Sequence, residues 1–155
     1  MAFGALSVKG RALRYLAQRE HSRAELERKL ARHVQDTDEA SAQQQIAQAL
    51  DQLAAAGLLS EARAAESVLA SQGQRFGSRR LKQVMQAKGL DAQLVSATLQ
   101  QARLTELDRA RAVWRRRFGT APADAGERAR QQRFMAGRGF DGDVIRRVVQ
   151  GSDDD

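Results

Sequence analysis

Arg75, Arg79 and Lys82 follow one another at spacings of four and three, with Arg80 adjoining them. On a helix, that spacing gathers cationic groups on one face. A guanidinium grips phosphate or carboxylate through two parallel N–H bonds, a geometry an ammonium lacks. Arg115, Arg116 and Arg117 form a second group between Trp114 and Phe118, and Arg128, Arg130, Arg133 and Arg138 decorate the segment beyond. The chemistry on offer is the holding of a polyanion or an acidic protein surface. If Arg75 lies just ahead of a helix, that helix's N-terminal half-charge adds to the attraction for an anion. Trp114 and Phe118 are spaced to pack with Leu107 and are read as core, not as platforms for bases.

Bond-making chemistry finds little support. His21 and His33 are too far apart for a helical zinc motif, which places its histidines one turn apart, and both are read as surface or capping residues. The stretch "GQRFGSRR" lacks the Gly-Lys-Ser/Thr ending of a phosphate-binding loop, and "GRGFDG" follows a helical pattern where a dinucleotide fold needs a strand. No carboxylate cluster resembles a nuclease metal site. The expectation is a protein that binds, with no cofactor, no metal and no catalytic activity.

Charge placement sharpens that expectation. Residues 1–72 hold nine basic and nine acidic residues, whereas residues 73–150 hold 17 basic against seven acidic. The last five residues, "GSDDD", add three negative charges and read as an acidic disordered tail. The chain has no cysteine, and no run of about 18 apolar residues that would span a membrane. It begins without a signal-peptide pattern, so a cytoplasmic location is expected.

The elements that carry these residues repeat. "LSEARAAESVLAS" from Leu59 aligns without gaps with "LTELDRARAVWRR" from Leu104, pairing Ser60 with Thr105 and Glu61 with Glu106. Each opens with a hydroxyl suited to cap a helix, and Thr105 with Asp108 has capping-box spacing. A second echo pairs "KGLDAQLVSATL" with "RGFDGDVIRRVV", in which Gly89 and Gly139 suit the left-handed position ending a helix. The N-terminal part fits more loosely: Ser22 and Glu25 form a capping box, Leu26 and Leu30 face inward, and Gly57 stops a helix carrying Ile46, Ala49, Leu50 and Leu53. The predicted fold is all-α: three tandem three-helix repeats over 8–59, 60–103 and 104–150, forming an elongated, curved array. Residues 1–7 are expected to be disordered.

"ALRYLAQREHSRAELERKL", followed by "GLLSEARAAESVLASQGQRFGSRRLKQVMQAKGL", resembles the bacterial RecX family of recombinase regulators. Glu25, Leu26, Lys29 and Leu30, then Arg75, Gly77, Leu81, Lys88 and Gly89, carry the resemblance, which covers most of residues 10–150. His21 stands where that family commonly has an aromatic, Glu61 replaces a usual Asp and Ala64 replaces an aromatic. The resemblance implies a negative regulator that lies in the groove of the RecA–single-stranded DNA filament. It implies inhibition of filament growth, ATPase, strand exchange and LexA coprotease activity, and hence a place in recombination, repair and the SOS response. Contacts are expected from Arg75, Arg79, Arg80, Lys82, Arg115, Arg116 and Arg117, then Arg128, Arg130 and Arg133. The expected partners are the RecA filament and single-stranded DNA within it, with weak binding to bare DNA, no membrane, and a monomeric chain. The alternatives are a stand-alone helical DNA-binding module and a scaffold for some other acidic partner.

Overall fold

A computed structural model describes residues 6–150. Over that span the chain forms eight helices and no strand: α1 (Val8–Gln18), α2 (Arg23–Ala31), α3 (Ala42–Ala55), α4 (Glu61–Gln72), α5 (Ser78–Ala87), α6 (Ala92–Arg117), α7 (Ala125–Gly137) and α8 (Gly142–Val149). They divide between two compact units, Met1–Ala64 with Lys88–Leu90, and Ala65–Ala87 with Asp91–Asp155.

In the first unit α1, α2 and α3 pack on one another. Each is started by a serine whose hydroxyl accepts a backbone N–H left without a helical partner: Ser7 from Gly10, Ser22 from Glu25 and Ser41 from Gln44. Glu25 and Gln44 reach back to their caps' own N–H groups, completing two capping boxes. Leu26, Leu30, Leu50 and Leu53 are fully buried around Ala12, Ile46 and Leu59. Tyr15, Leu16 and Val34 close the margin of this core.

In the second unit α5 packs on α6, α6 on α8 and α8 on α7. Leu81 and Met85 of α5 are buried, as are Val95, Leu99 and Ala102 of α6. Further along, Ala110 and Val113 join Met135, Phe140, Ile145, Val148 and Val149 in a second cluster, flanked by Leu107 and Trp114. Leu107 and Trp114, half-buried, pack against this core as their spacing indicates, whereas Phe118, read with them as core, is half-buried against Phe134 and does not join the cluster.

The helix start expected at Thr105 does not exist. α6 runs unbroken from Ala92 to Arg117, and the Thr105 hydroxyl donates to the Ala102 carbonyl, a bond made inside a helix. From Leu99 to Arg111 the chain has no Gly or Pro and is rich in Ala, Leu, Gln and Arg, so nothing interrupts the helix. Ser60, the residue that Thr105 echoes, does cap: its hydroxyl accepts the Arg63 N–H. Ser7 is likewise an ordered cap, although residues 1–7 were expected to be disordered. Residues 1–5 and the acidic tail at 151–155 lie outside the described residues.

Candidate polyanion interface

The arginine-rich surface is built on the turn before α5. Arg109, projecting from α6, donates to the carbonyls of Gly73 (2.7 Å), Phe76 (2.8 Å) and Ala102 (2.8 Å), which pins the turn to the helix. Glu106, one turn earlier and buried, accepts the Ser78 N–H and the Ser78 hydroxyl, each at 3.0 Å. The turn between α7 and α8 closes the other side. Arg138 C=O accepts the Gly77 N–H (2.9 Å), and Gly139 C=O accepts the Arg79 N–H (3.0 Å). Two glycines make this approach possible. A Cβ on Gly77 would lie 2.5 Å from the Gly139 carbonyl oxygen and from Phe140 Cα. Gly139 has φ +86°, and a Cβ there would lie 2.5 Å from Arg80 Cβ.

This arrangement corrects the expectation of an anion at the start of α5. The N–H groups of Gly77, Ser78 and Arg79 are all taken by protein acceptors, and the Glu106 carboxylate already supplies the negative charge the helix start favours. An incoming anion must be held by side chains instead.

Those side chains converge on an open cleft of about 460 Å³ lined by Gln74, Arg75, Val113, Arg116, Arg117, Phe134 and Arg138. Arg75, Arg116 and Arg117 are thus brought together from two stretches of chain. Arg138 joins them; it was noted in the sequence on the third basic segment but left out of the expected contact set. Arg116 donates one N–H to the Gln74 carbonyl (2.9 Å), which fixes its reach. Phenylalanines hold these arginines, Phe134 from within the lining and Phe76 and Phe118 from beyond it. Phe76 has the guanidinium carbons of Arg75 and Arg80 at 5.3 Å and of Arg138 at 5.7 Å. Phe134 has Arg138 at 5.1 Å and Arg117 at 5.3 Å, and meets Phe118 edge-on. Phe118 in turn has Arg117 at 5.5 Å and Arg130 at 5.4 Å. A planar guanidinium held over a ring has its orientation set while its edge N–H groups remain available.

The remaining expected residues are placed differently. Arg130 is committed to Glu127 through two bonds of 2.9 Å. Arg79 is exposed, 3.8 Å from Asp141. Lys82, Arg115, Arg128 and Arg133 are exposed and form no ion pair among the described residues, but none of them lines the cleft. Glu106, Arg109, Phe76 and Phe134 escaped the sequence reading. The signal available for Glu106 was its gapless alignment with Glu61, since Glu61 accepts the Arg23 N–H at the start of α2 (2.6 Å).

The first unit has its own ionic cluster, but a closed one. Glu25 is nearly buried and bonds Arg19 (2.7 Å), Lys88 (3.2 Å) and the Ser22 N–H (3.1 Å). Burial alone would raise its carboxyl; the bonds from Arg19, Ser22 and Lys88 outweigh it and hold the group at about 2. His21, read from sequence as a surface or capping residue, is fully buried beside Tyr15. It fills the place of an aromatic while satisfying both ring nitrogens. Lys29 Nζ lies 2.8 Å from Nε2, and an ammonium only donates, so Nδ1 carries the proton and donates to the Arg19 carbonyl (3.0 Å). Burial, aided by the charges of Arg19 and Lys29, keeps this imidazole below its ordinary pKa. Among the described residues no three His, Asp or Glu side chains gather as a metal site would require.

A family model described as "RecX, third three-helix domain" matches residues 105–149. The Regulatory protein RecX of Leptothrix cholodnii is 53% identical over 148 residues, which cover 96% of this chain and 90% of that protein. The Regulatory protein RecX of Chromobacterium violaceum is 44% identical over 155 residues, covering 100% and 97%. The crystal structure of RecX from Lactobacillus salivarius aligns with a TM-score of 0.71 over 92% of each chain at 19% identity, a likeness of fold.

Proposed function

The chain belongs to the RecX family of regulatory proteins, and from that premise we propose that it regulates RecA by binding the RecA–single-stranded DNA filament in its groove. Bound there, it limits filament growth and lowers ATPase, strand-exchange and LexA coprotease activity. Such inhibition needs only tighter binding to one filament state than to another, so no catalytic group is required. The chain acts as a cytoplasmic monomer built of three three-helix repeats, 8–59, 60–103 and 104–150, with α6 shared between the last two.

The observation that carries this reading is the excess of unpaired arginine on the second unit. Arg75, Arg116, Arg117 and Arg138 surround one cleft without an acidic partner among the described residues, and Arg80 shares the Phe76 ring with Arg75 and Arg138. Surfaces that keep cations apart from internal counter-ions suit an anionic macromolecule. Arg79, Lys82 and Arg115 extend that surface as contacts, with Arg128, Arg130 and Arg133 in a second rank.

The test is ATP hydrolysis by the cognate RecA on single-stranded DNA, with this protein added below one copy per recombinase protomer. Inhibition at such ratios is expected. It should be relieved in a chain carrying Arg75→Glu, Arg116→Glu and Arg138→Glu whose circular dichroism is unchanged. Full inhibition by that variant would remove these residues from the interface, and no inhibition by the parent chain would overturn the regulatory reading.

A further inference from the structure

We propose that the Arg75–Arg116–Arg117–Arg138 cleft is a site for a chain of phosphates, gripped through its oxygens with no reading of bases. The proposal deepens the filament reading above and rests on it for the partner's identity, but not for the ligand chemistry.

Two observations carry it. The first is an internal control, because the two units hold a middle-helix start by the same device. In the first unit the start of α2 is held by Glu61 and by the carbonyl of Lys88, which accepts from the Ser22 hydroxyl. In the second, the start of α5 is held by Glu106 and by the carbonyl of Arg138. The basic residue before the turn glycine therefore recurs, yet its charge is treated in opposite ways. Lys88 Nζ turns to the Glu25 carboxylate at the third position of α2. The third position of α5 is Arg80, a cation, and Arg138 lies over Phe76 and Phe134 instead. Where the first unit contains its counter-ion, the second carries another positive charge. Guanidiniums crowded in this way repel one another, and an anion of several charges relieves the repulsion.

The second observation decides which anion. Each phenylalanine around the cleft is already flanked: Phe76 by three guanidiniums, Phe134 by two, Phe118 by two. These rings orient arginines and are not free platforms on which bases stack. What the cleft presents is a set of planar N–H edges from several directions, the complement of successive tetrahedral phosphates. The backbone of a nucleic-acid strand and a free polyphosphate share that chemistry.

The test uses the full chain, without RecA, and tripolyphosphate as the probe, followed by calorimetry and by emission of Trp114. This is the single tryptophan, and its Nε1–H is fixed to Gln131 beside the cleft helix. Saturable binding is expected. Arg75→Ala and Arg138→Lys should each weaken it about tenfold, because the first removes a charge-assisted contact and the second its bidentate geometry. Arg80→Glu, which restores the carboxylate of the first unit, should weaken it at least as much. Lys9→Ala, on the exposed face of α1 in the first unit, should change it less than about twofold. Displacement then separates the sources. An abasic deoxyribose–phosphate oligomer that competes as well as oligothymidylate of equal length supports a strand backbone as the ligand. An abasic oligomer that competes no better than sulfate, while tripolyphosphate binds, supports free polyphosphate. Competition by oligothymidylate alone means that bases are read and overturns the proposal, as does Lys9→Ala matching Arg75→Ala. Absence of tripolyphosphate binding overturns it as well. If the same variants still lose RecA inhibition in that case, the cleft meets protein and the filament reading stands. Phosphate binding without any effect on RecA would sink the filament reading alone.

Discussion

The starts of α2 and α5 solve one problem with different local chemistry. Each must satisfy the free N–H groups of a helix that begins against another element. At α2 a serine does much of the work: Ser22 Oγ accepts the Glu25 N–H and donates to the Lys88 carbonyl, and Glu25 returns a bond to the Ser22 N–H. At α5 the corresponding residue is Gly77, which has no side chain to offer. Its N–H reaches the Arg138 carbonyl, which stands in for the bond Glu25 returns to Ser22 in α2, while Glu106 takes the Ser78 N–H as Glu61 takes the Arg23 N–H. A capping box inside four residues is thus replaced by a backbone carbonyl on the distant α7–α8 turn. The consequence reaches the surface. Freed from capping, the third position of α5 can carry Arg80, which adds a cation over the Phe76 ring it shares with Arg75 and Arg138 of the cleft.

The α5 start is the less forgiving of the two. Gly77→Ala should produce the largest loss, about 3–4 kcal/mol, since its Cβ would meet backbone atoms of Gly139 and Phe140 that have no side-chain freedom to yield. Chemical denaturation read by Trp114 emission would measure it. A loss below about 1 kcal/mol would mean the two turns are not rigidly seated.

Next comes the closed cluster of the first unit. Glu25→Gln should cost about 2–3 kcal/mol near neutral pH, because Arg19 and Lys88 lose their common anion. The pH dependence follows from direction. The folded Glu25 carboxyl sits at about 2 against an ordinary 4.5, so its contribution is complete above about 4.5 and is lost as pH falls toward 2. His21 is also depressed, from 6.5, so the stability due to its neutral form is present above that value and declines as pH falls through the folded pKa. Thermal melts on descending pH should therefore show two steps. Glu25→Gln should remove the lower one and His21→Gln the upper. A single step surviving both substitutions would break the assignment.

Ser22→Ala is the gentler perturbation, about 1–2 kcal/mol, because Glu61 still holds the Arg23 N–H when the hydroxyl is gone. Amide exchange at Glu25, whose N–H loses its acceptor, should accelerate more than exchange at Arg79, which bonds the Gly139 carbonyl in the other unit. Equal acceleration at both would mean the helix starts are not independently secured.

This contrast also marks how far the fold was legible in the sequence. The Ser22–Glu25 box, the inward Leu26 and Leu30, and the positive φ of Gly57, Gly89 and Gly139 are local matters, decided within a turn of helix, and residue spacing reveals them. Arg75, Arg116 and Arg117 could be named as cations that bind, but their meeting at one cleft depends on Arg109 and Glu106 pinning a turn some 30 residues earlier in the chain, which no periodicity encodes. Arg138 was visible only as one more arginine on a basic segment. His21 misled because a histidine counts as polar, whereas here its ring fills an apolar place and its two nitrogens find partners.

Thr105 gives the smallest effect and the cleanest separation of motif from role. By alignment with Ser60 it is a cap, and by spacing it forms a box with Asp108, so as a cap its loss would cost about 1 kcal/mol. Inside a continuous α6 its side chain is exposed, its hydroxyl donates to the Ala102 carbonyl and accepts from Arg109 Nε (3.1 Å), and neighbouring Leu104 is 85% exposed. Alanine favours a helix interior more than threonine does, by a few tenths of a kcal/mol. Thr105→Ala should therefore leave stability unchanged or raise it by less than about 0.5 kcal/mol, since the exposed hydroxyl satisfies no free helix-end N–H and Arg109, which loses one acceptor, keeps three carbonyls. The equivalent change at Ser60, which does cap α4, should destabilise by about 1 kcal/mol. Opposite signs for two aligned hydroxyls would establish that the same sequence motif starts a helix at one place and passes through one at the other. A matching loss at Thr105 would mean instead that α6 breaks there in solution, and that the helix joining the halves of the second unit is two helices.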